Sequence, residues 1–165
     1  MPRPQPDSPG PDQESVWDYP RPPRAEPDSR RAVLRYAGTV VADTTDLIRV
    51  LETSHPPTFY LPRAAFGDHL VPVEKTSFCE WKGAARYIDV VVPGADPLRE
   101  VGWWYPEVNR RYPELTDRVA VYAGPFDEVT LDGEVVEPQP GGFYGGWVTK
   151  ELVGPFKGGP GSWGW

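Results

Sequence analysis

A single cysteine rules out an internal disulfide and every cysteine-rich zinc site, and two histidines leave little material for another transition-metal centre. No His-x-x-x-His, Cys-x-x-Cys or Asp-x-Asp-x-Asp-Gly spacing occurs, so neither a metal nor a cofactor is expected. Long apolar runs are missing too. None approaches the ~18 residues of a membrane-crossing helix, and the first residues lack the apolar stretch of a signal peptide, so a soluble cytoplasmic chain is expected. Leucine is scarce, nine against 19 valines, while 22 prolines and 17 glycines are spread over 165 residues. Long helices do not survive that density of breakers, which excludes a helical bundle or coiled coil. Basic residues are outnumbered, and the net charge of −7 repels nucleic acid and anionic lipid alike.

What the chain has in quantity is rings: seven Trp, eight Tyr and six Phe. Together with the valines they suit a pleated surface, where branched and aromatic side chains pack well. The length fits one domain. The expected architecture is therefore mainly β: a small single-domain barrel or tent-like sheet with one or two short helices, wrapped by extended N- and C-terminal arms.

Four stretches follow from composition. Residues 1–13 are rich in proline and nearly free of aliphatic side chains, so they read as a disordered tail, or as a proline-rich ligand for a partner with an aromatic groove. Residues 14–30 differ because Val16, Trp17 and Tyr19 precede Pro20, Pro22 and Pro23. Burying two rings gains roughly 8–12 kcal/mol, close to the roughly 8–15 kcal/mol needed to order about eight residues, and prolines that already restrict the chain tip the balance toward an extended arm. Residues 31–138 form the β-rich core. Residues 139–165 carry Phe143, Tyr144, Trp147, Phe156, Trp163 and Trp165 among glycines, too much apolar surface for a linker, and read as a second arm.

Within the core, strands are predicted at 32–36 and 39–42 around Ala37-Gly38, at 58–61, 77–82, 86–92, 101–105 and 118–122, and at 128–131 and 134–137 around Asp132-Gly133. Asp43 to Asp46 offer helix caps ahead of Leu47, Ile48, Val50 and Leu51, which predicts one short helix there. Gly83-Ala84-Ala85 reads as the turn between two strands, and on a strand Cys79 and Trp81 share one face while Glu80 and Lys82 share the other.

Chemistry-bearing residues are few. Cys79 reads as a nucleophile if a cation favours its thiolate, and otherwise as a small core side chain. His55 is the one obvious base, and otherwise closes a helix before Pro56-Pro57. The glycines of 140–147 lack the Lys and Ser/Thr of a phosphate loop and read as turns that let Phe143, Tyr144 and Trp147 pack. What remains is rings beside a few charges: Trp17, Tyr19 and Arg21 in the arm, Tyr60, Trp81 with Lys82, Arg86 with Tyr87, Trp103, Trp104 and Tyr105, and Tyr144 with Trp147. Aromatic walls with a few convergent polar groups make small-ligand pockets, and the same rings also serve to fill a core.

The strings Val41-Ala42-Asp43-Thr44, 52–62 (ETSHPPTFYLP), 77–83 (SFCEWKG) with Tyr87, and 118–124 (RVAVYAG) resemble the bacterial family called domain of unknown function 427 over roughly 31–138. Residues 14–23 and 141–165 look like the extensions of a longer subgroup. The resemblance implies a compact β-rich fold, a barrel or tent, with no settled activity. A nucleotidyltransferase-like label sometimes given to the family implies a Gly-Ser or Gly-Gly pair followed by an Asp-x-Asp pair holding magnesium on a strand. The Asp-x-Glu here, Asp132-Gly133-Glu134, fits a hairpin turn, and Gly161-Ser162 lies after it, so the catalytic claim does not carry over.

The expected function is binding of a small aromatic or anionic ligand in a ring-lined cleft formed by Tyr60, Trp81, Lys82, Arg86, Tyr87, Tyr144 and Trp17. The alternative is hydrolysis or group transfer with His55 as base, with or without Cys79, which requires both side chains to open onto one cleft. The expected partner is a small molecule rather than nucleic acid or membrane.

Overall fold

The computed structural model describes residues 3–165; Met1 and Pro2, the first residues of the expected disordered tail, lie outside the described residues. The strands are β1 (Glu14–Ser15), β2 (Arg24–Asp28), β3 (Ala32–Tyr36), β4 (Thr39–Thr44), β5 (Leu47–Leu51), β6 (Thr58–Pro62), β7 (Leu70–Cys79), β8 (Gly83–Val90), β9 (Leu98–Trp104), β10 (Arg118–Val121), β11 (Glu128–Leu131), β12 (Glu134–Val135), β13 (Glu137–Pro138), β14 (Trp147–Val148) and β15 (Leu152–Val153). Helical structure among the described residues is limited to short 3-10 segments at Val16–Asp18, Arg63–His69 and Pro113–Leu115. No helix among them is long and apolar enough to cross a membrane.

The mainly β expectation is met, but the sheets do not close into a barrel. A seven-stranded antiparallel sheet, in the order β2-β5-β6-β10-β9-β8-β7, packs against a four-stranded one, β12-β11-β3-β4. Alternation along the strands sends one set of side chains into the space between them. Phe59 and Leu61, Ile88 and Val90, and Val119 and Val121 meet Ala32, Leu34, Val129 and Leu131 in one apolar cluster. The opposite face of the large sheet carries Ile48, Val50, Tyr60, Ala85 and Ala120, covered in part by Tyr105, Tyr112 and Leu115.

The predicted helix over 47–51 is instead β5, which lies between β2 and β6 and is buried along nearly its whole length. A short run apolar at both parities is what a strand buried on two faces looks like. The carboxylates expected to cap that helix form ion pairs instead, Asp43 with Arg31 at 2.5 Å and Asp46 with Arg118 at 2.7 Å. A second correction concerns the hairpin before Tyr87. β7 begins at Leu70 and ends at Cys79, and the turn is Glu80-Trp81-Lys82, not Gly83-Ala84-Ala85. The strand alternation assigned to Trp81 and Lys82 therefore does not apply to them.

The two ends of the chain meet. β1 pairs in parallel with β15, Asp7 N–H donates to the Gly154 carbonyl at 2.8 Å, and the Trp17 indole donates to the Pro155 carbonyl at 2.9 Å. Residues 24–28, expected within an extended arm laid on the domain, form the edge strand β2, where Pro27 removes no hydrogen bond that an outer neighbour would need. Arg49 ties this edge to the ends: it pairs with Glu14 at 2.6 Å and with Glu26 at 2.7 Å.

Candidate functional site

The open face of the large sheet ends in a cleft of about 640 Å³. That is within the roughly 300–1,000 Å³ range of small-ligand sites. Its floor is built by period-two alternation: Lys75, Ser77 and Cys79 on β7, Ala85 and Tyr87 on β8, Trp103 on β9, Thr58 on β6 and Val50 on β5. One side is the β7–β8 turn with Trp81 and Lys82, and the other is the C-terminal segment with Phe143, Tyr144 and Gly145.

Both sides are anchored. Asn109 N–H donates to the Lys82 carbonyl at 2.9 Å, holding the tip of the hairpin against the 105–115 connection. The C-terminal segment is fixed by the buried Gln139, whose amide donates to the Lys157 carbonyl at 2.9 Å and whose oxygen accepts from Gly146 N–H at 3.0 Å. The Tyr122 hydroxyl donates to the Phe143 carbonyl at 3.3 Å, and the Trp103 and Tyr122 rings lie 5.0 Å apart, so the floor also touches this wall.

His55 lines the cleft and is 8% exposed. Its Nδ1 lies 3.0 Å from the Thr53 carbonyl. A carbonyl only accepts, so Nδ1 carries the proton and Nε2 keeps its lone pair. Burial pulls the imidazole below the ordinary histidine range, opposed by Glu52 and helped by Lys157 and Arg21. The ring is neutral at pH 7, and it meets Tyr144 edge-on at 4.8 Å between centroids.

The loop that carries His55 is gripped by both chain ends. Ser54 N–H donates to the Val16 carbonyl at 3.0 Å, and Lys157 N–H donates to the Ser54 carbonyl at 2.8 Å. Ser54 itself is fully buried at φ 74°, with a hydroxyl that has no hydrogen-bond partner among the described residues. A non-glycine residue held in the left-handed region next to a cleft histidine is strain retained because its surroundings over-determine it.

Charge in the cleft is balanced. Lys75, Lys82 and Lys157 face Glu52, Glu80 and Glu100. Lys75 is paired with Glu100 at 2.9 Å, and Glu52 lies 3.7 Å from Arg21. Lys157 donates to the Trp165 carbonyl at 3.2 Å, and burial together with Arg21 lowers its affinity for a proton. Lys82 has no carboxylate within ion-pair distance among the described residues, and its Nζ lies 6.0 Å from the centre of the Tyr105 ring. Burial lowers its proton affinity, but Tyr60, Cys79 and Glu52 more than offset this, so it stays an ammonium. No group of three or more His, Cys, Asp or Glu side chains among the described residues is placed to hold a metal ion.

The structure thus brings His55, Cys79, Trp81, Lys82, Tyr87 and Tyr144 together on one cleft. It does not bring the other three sequence candidates there. Tyr60 shares the face of Thr58 but is fully buried beside Trp103 and Tyr105, its hydroxyl 3.4 Å from the Trp103 indole nitrogen and outside the lining of the cleft. Arg86 is exposed because it alternates with Ala85 and Tyr87 and so points from the other face of β8. Trp17 packs on Trp165 at 5.6 Å in a separate cluster with Val16, Leu51 and Leu152. Trp103, Lys75 and Phe143 line the cleft but are not among the residues the sequence assigns to it, although Trp103 is one of the rings it notes beside charges. Their parity on β7 and β9 was the available signal for two of them, since Lys75 and Ser77 share the parity of Cys79. Nothing local marks Phe143.

Two face-to-face antiparallel sheets, with a ring-walled cleft on the outer face of the larger, define an all-β scaffold that carries an open, ring-lined recess. The chain belongs to the family described as Domain of unknown function (DUF427), whose model matches residues 24–133. That span takes in β2, which the sequence reading had assigned to the arm, and stops before the C-terminal wall of the cleft. No curated protein matches the chain.

Proposed function

We propose that the chain binds a small aromatic or anionic ligand in this cleft. The observation that carries the reading is Lys82: an ammonium without a carboxylate partner among the described residues, half-buried beside Trp81 and Tyr105 on one side of a 640 Å³ recess. An ammonium in such a setting supplies a charge-assisted hydrogen bond, and flanking rings supply flat apolar contact. A broad metabolite panel screened by ligand-observed NMR tests it. At least one compound is expected to bind, with Lys82→Ala weakening it about tenfold or more and Trp81→Ala weakening it about fivefold, at unchanged melting temperature. Two variants that bind every hit as the unaltered chain does would refute the assignment.

A second reading has its own support, because His55 and Cys79 open onto the same cleft. A neutral imidazole with a free Nε2 is the form required of a general base, so hydrolysis or group transfer is the enzymatic alternative. It predicts that His55→Ala abolishes turnover of a cleft ligand while its binding persists. Slow or absent turnover in the unaltered chain, with tight binding, speaks for a binding protein.

A further inference from the structure

We infer that the ligand is a planar monoanion, its acidic group at Lys82 and its ring system gripped between the β7–β8 hairpin and the C-terminal segment. This rests on the binding reading above and narrows it. Three lysines face three glutamates, so the cleft carries no surplus of positive charge for a polyanion. Lys75 is paired with Glu100 at 2.9 Å and Lys157 donates to the Trp165 carbonyl at 3.2 Å, which leaves Lys82 as the cleft lysine with neither a carboxylate nor a carbonyl partner among the described residues, a place for one negative group. A triphosphate would bring three or more charges into contact with Glu52, Glu80 and Glu100, on a chain whose net charge is already −7. Among the described residues there is also no group of three or more His, Cys, Asp or Glu side chains placed to hold a metal ion beside it.

Shape decides the rest of the ligand. At the mouth, Phe143 is 65% exposed and lines the recess. A phenyl ring left in water at the entrance of a cleft loses that exposure when a flat apolar body lies against it. Phe143 is held edge-on to Tyr144 at 4.9 Å and to Trp163 at 6.2 Å, so it is presented as a fixed slab rather than a loose side chain. Phe143 and Tyr144 both lie beyond residues 24–133, the span the family model matches, so the outer wall, and with it the choice of ring system, is supplied by the C-terminal extension.

The test uses matched probes on the full chain. Benzoate, 2-naphthoate and indole-3-acetate are titrated beside their primary amides and the corresponding amines, with magnesium ATP as the polyanion. At least one acid is expected to bind tenfold or more tightly than its amide, the amines and ATP being weaker still. Lys82→Gln brings acid and amide within about twofold of each other, Lys82→Arg keeps the difference, and Phe143→Ser weakens acid and amide equally. If amides match acids in the unaltered chain, the charge assignment falls while a ring-binding cleft stands. If ATP outcompetes the acids, the monoanion class is wrong. If none of the ring compounds binds, the parent reading fails with it.

Discussion

Replacing Trp147 with alanine is expected to lower the unfolding free energy by about 3–5 kcal/mol and the melting temperature by roughly 6–20 °C. The indole is fully buried, stacked on Phe59 with centroids 5.1 Å apart, and its Nε1–H donates to the Val121 carbonyl at 3.1 Å. Alanine removes the ring, leaves a cavity between the sheets and strands a buried carbonyl, and the three costs act together. The C-terminal segment joins the core at this residue, because Trp147 N–H also donates to the Pro57 carbonyl at 2.9 Å. Loss of the anchor therefore loosens the cleft wall as well as the core. Trp147→Phe, which keeps most of the apolar contact and strands only the carbonyl, should cost about 1–3 kcal/mol. Urea denaturation of both variants checks the order, and equal stabilities would show that the ring does not pack as described.

The second large effect is expected at Gly145. A Cβ built there would overlap Cη2 of Trp103 and lie 2.9 Å from Cζ3 of the same ring. Trp103 has little room to retreat, since its ring stands against Tyr122 at 5.0 Å on the cleft floor. Gly145→Ala must push the indole into the cleft or lift the C-terminal segment away, a local overpacking worth about 1–3 kcal/mol. Either movement separates the two walls, so affinity for a cleft ligand should fall at least tenfold. Gly145→Val extends the clash and should abolish binding. Gly142, where an added Cβ meets nothing within 4 Å but φ is 72°, provides the contrast: Gly142→Ala should cost about 1 kcal/mol of backbone strain and leave Trp103 in place. A Gly145→Ala chain with full affinity and stability would mean the segment does not rest on Trp103.

Some of this protein was legible residue by residue. The scarcity of leucine beside abundant valine and rings pointed to sheets because side-chain shape acts locally on a pleated backbone. Two hairpins were legible for the same reason. Ala37-Gly38 and Asp132-Gly133 both adopt positive φ, at 51° and 75° and at 50° and 81°, which is what a two-residue turn matching the strand twist requires. β3 and β11 were placed to the residue from those turns outward. Pairing of His55 with Cys79 as cleft-facing groups was posed by the sequence as a condition and met only in three dimensions.

Other features belong to the tertiary structure alone. Leu47 to Leu51 carry cap-like carboxylates in front and apolar residues at both parities, and they become a strand because β2 and β6 satisfy the backbone on both sides. The turn at Glu80 to Lys82 was hidden because glycine at 83 is the louder local signal, whereas β7–β8 register is set by partners along the whole ten-residue strand. The cleft is the clearest case. It joins β5, β6, β7, β8, β9 and a segment more than sixty residues beyond the hairpin it faces, and no short-range pattern encodes which ring of a distant stretch will stand opposite Lys82. Residue chemistry and turn geometry act over a few positions and so are written in the chain. Strand order, the choice of which sheet face stays open and the meeting of the two ends depend on which distant surfaces bury each other, and that is decided only by the folded whole.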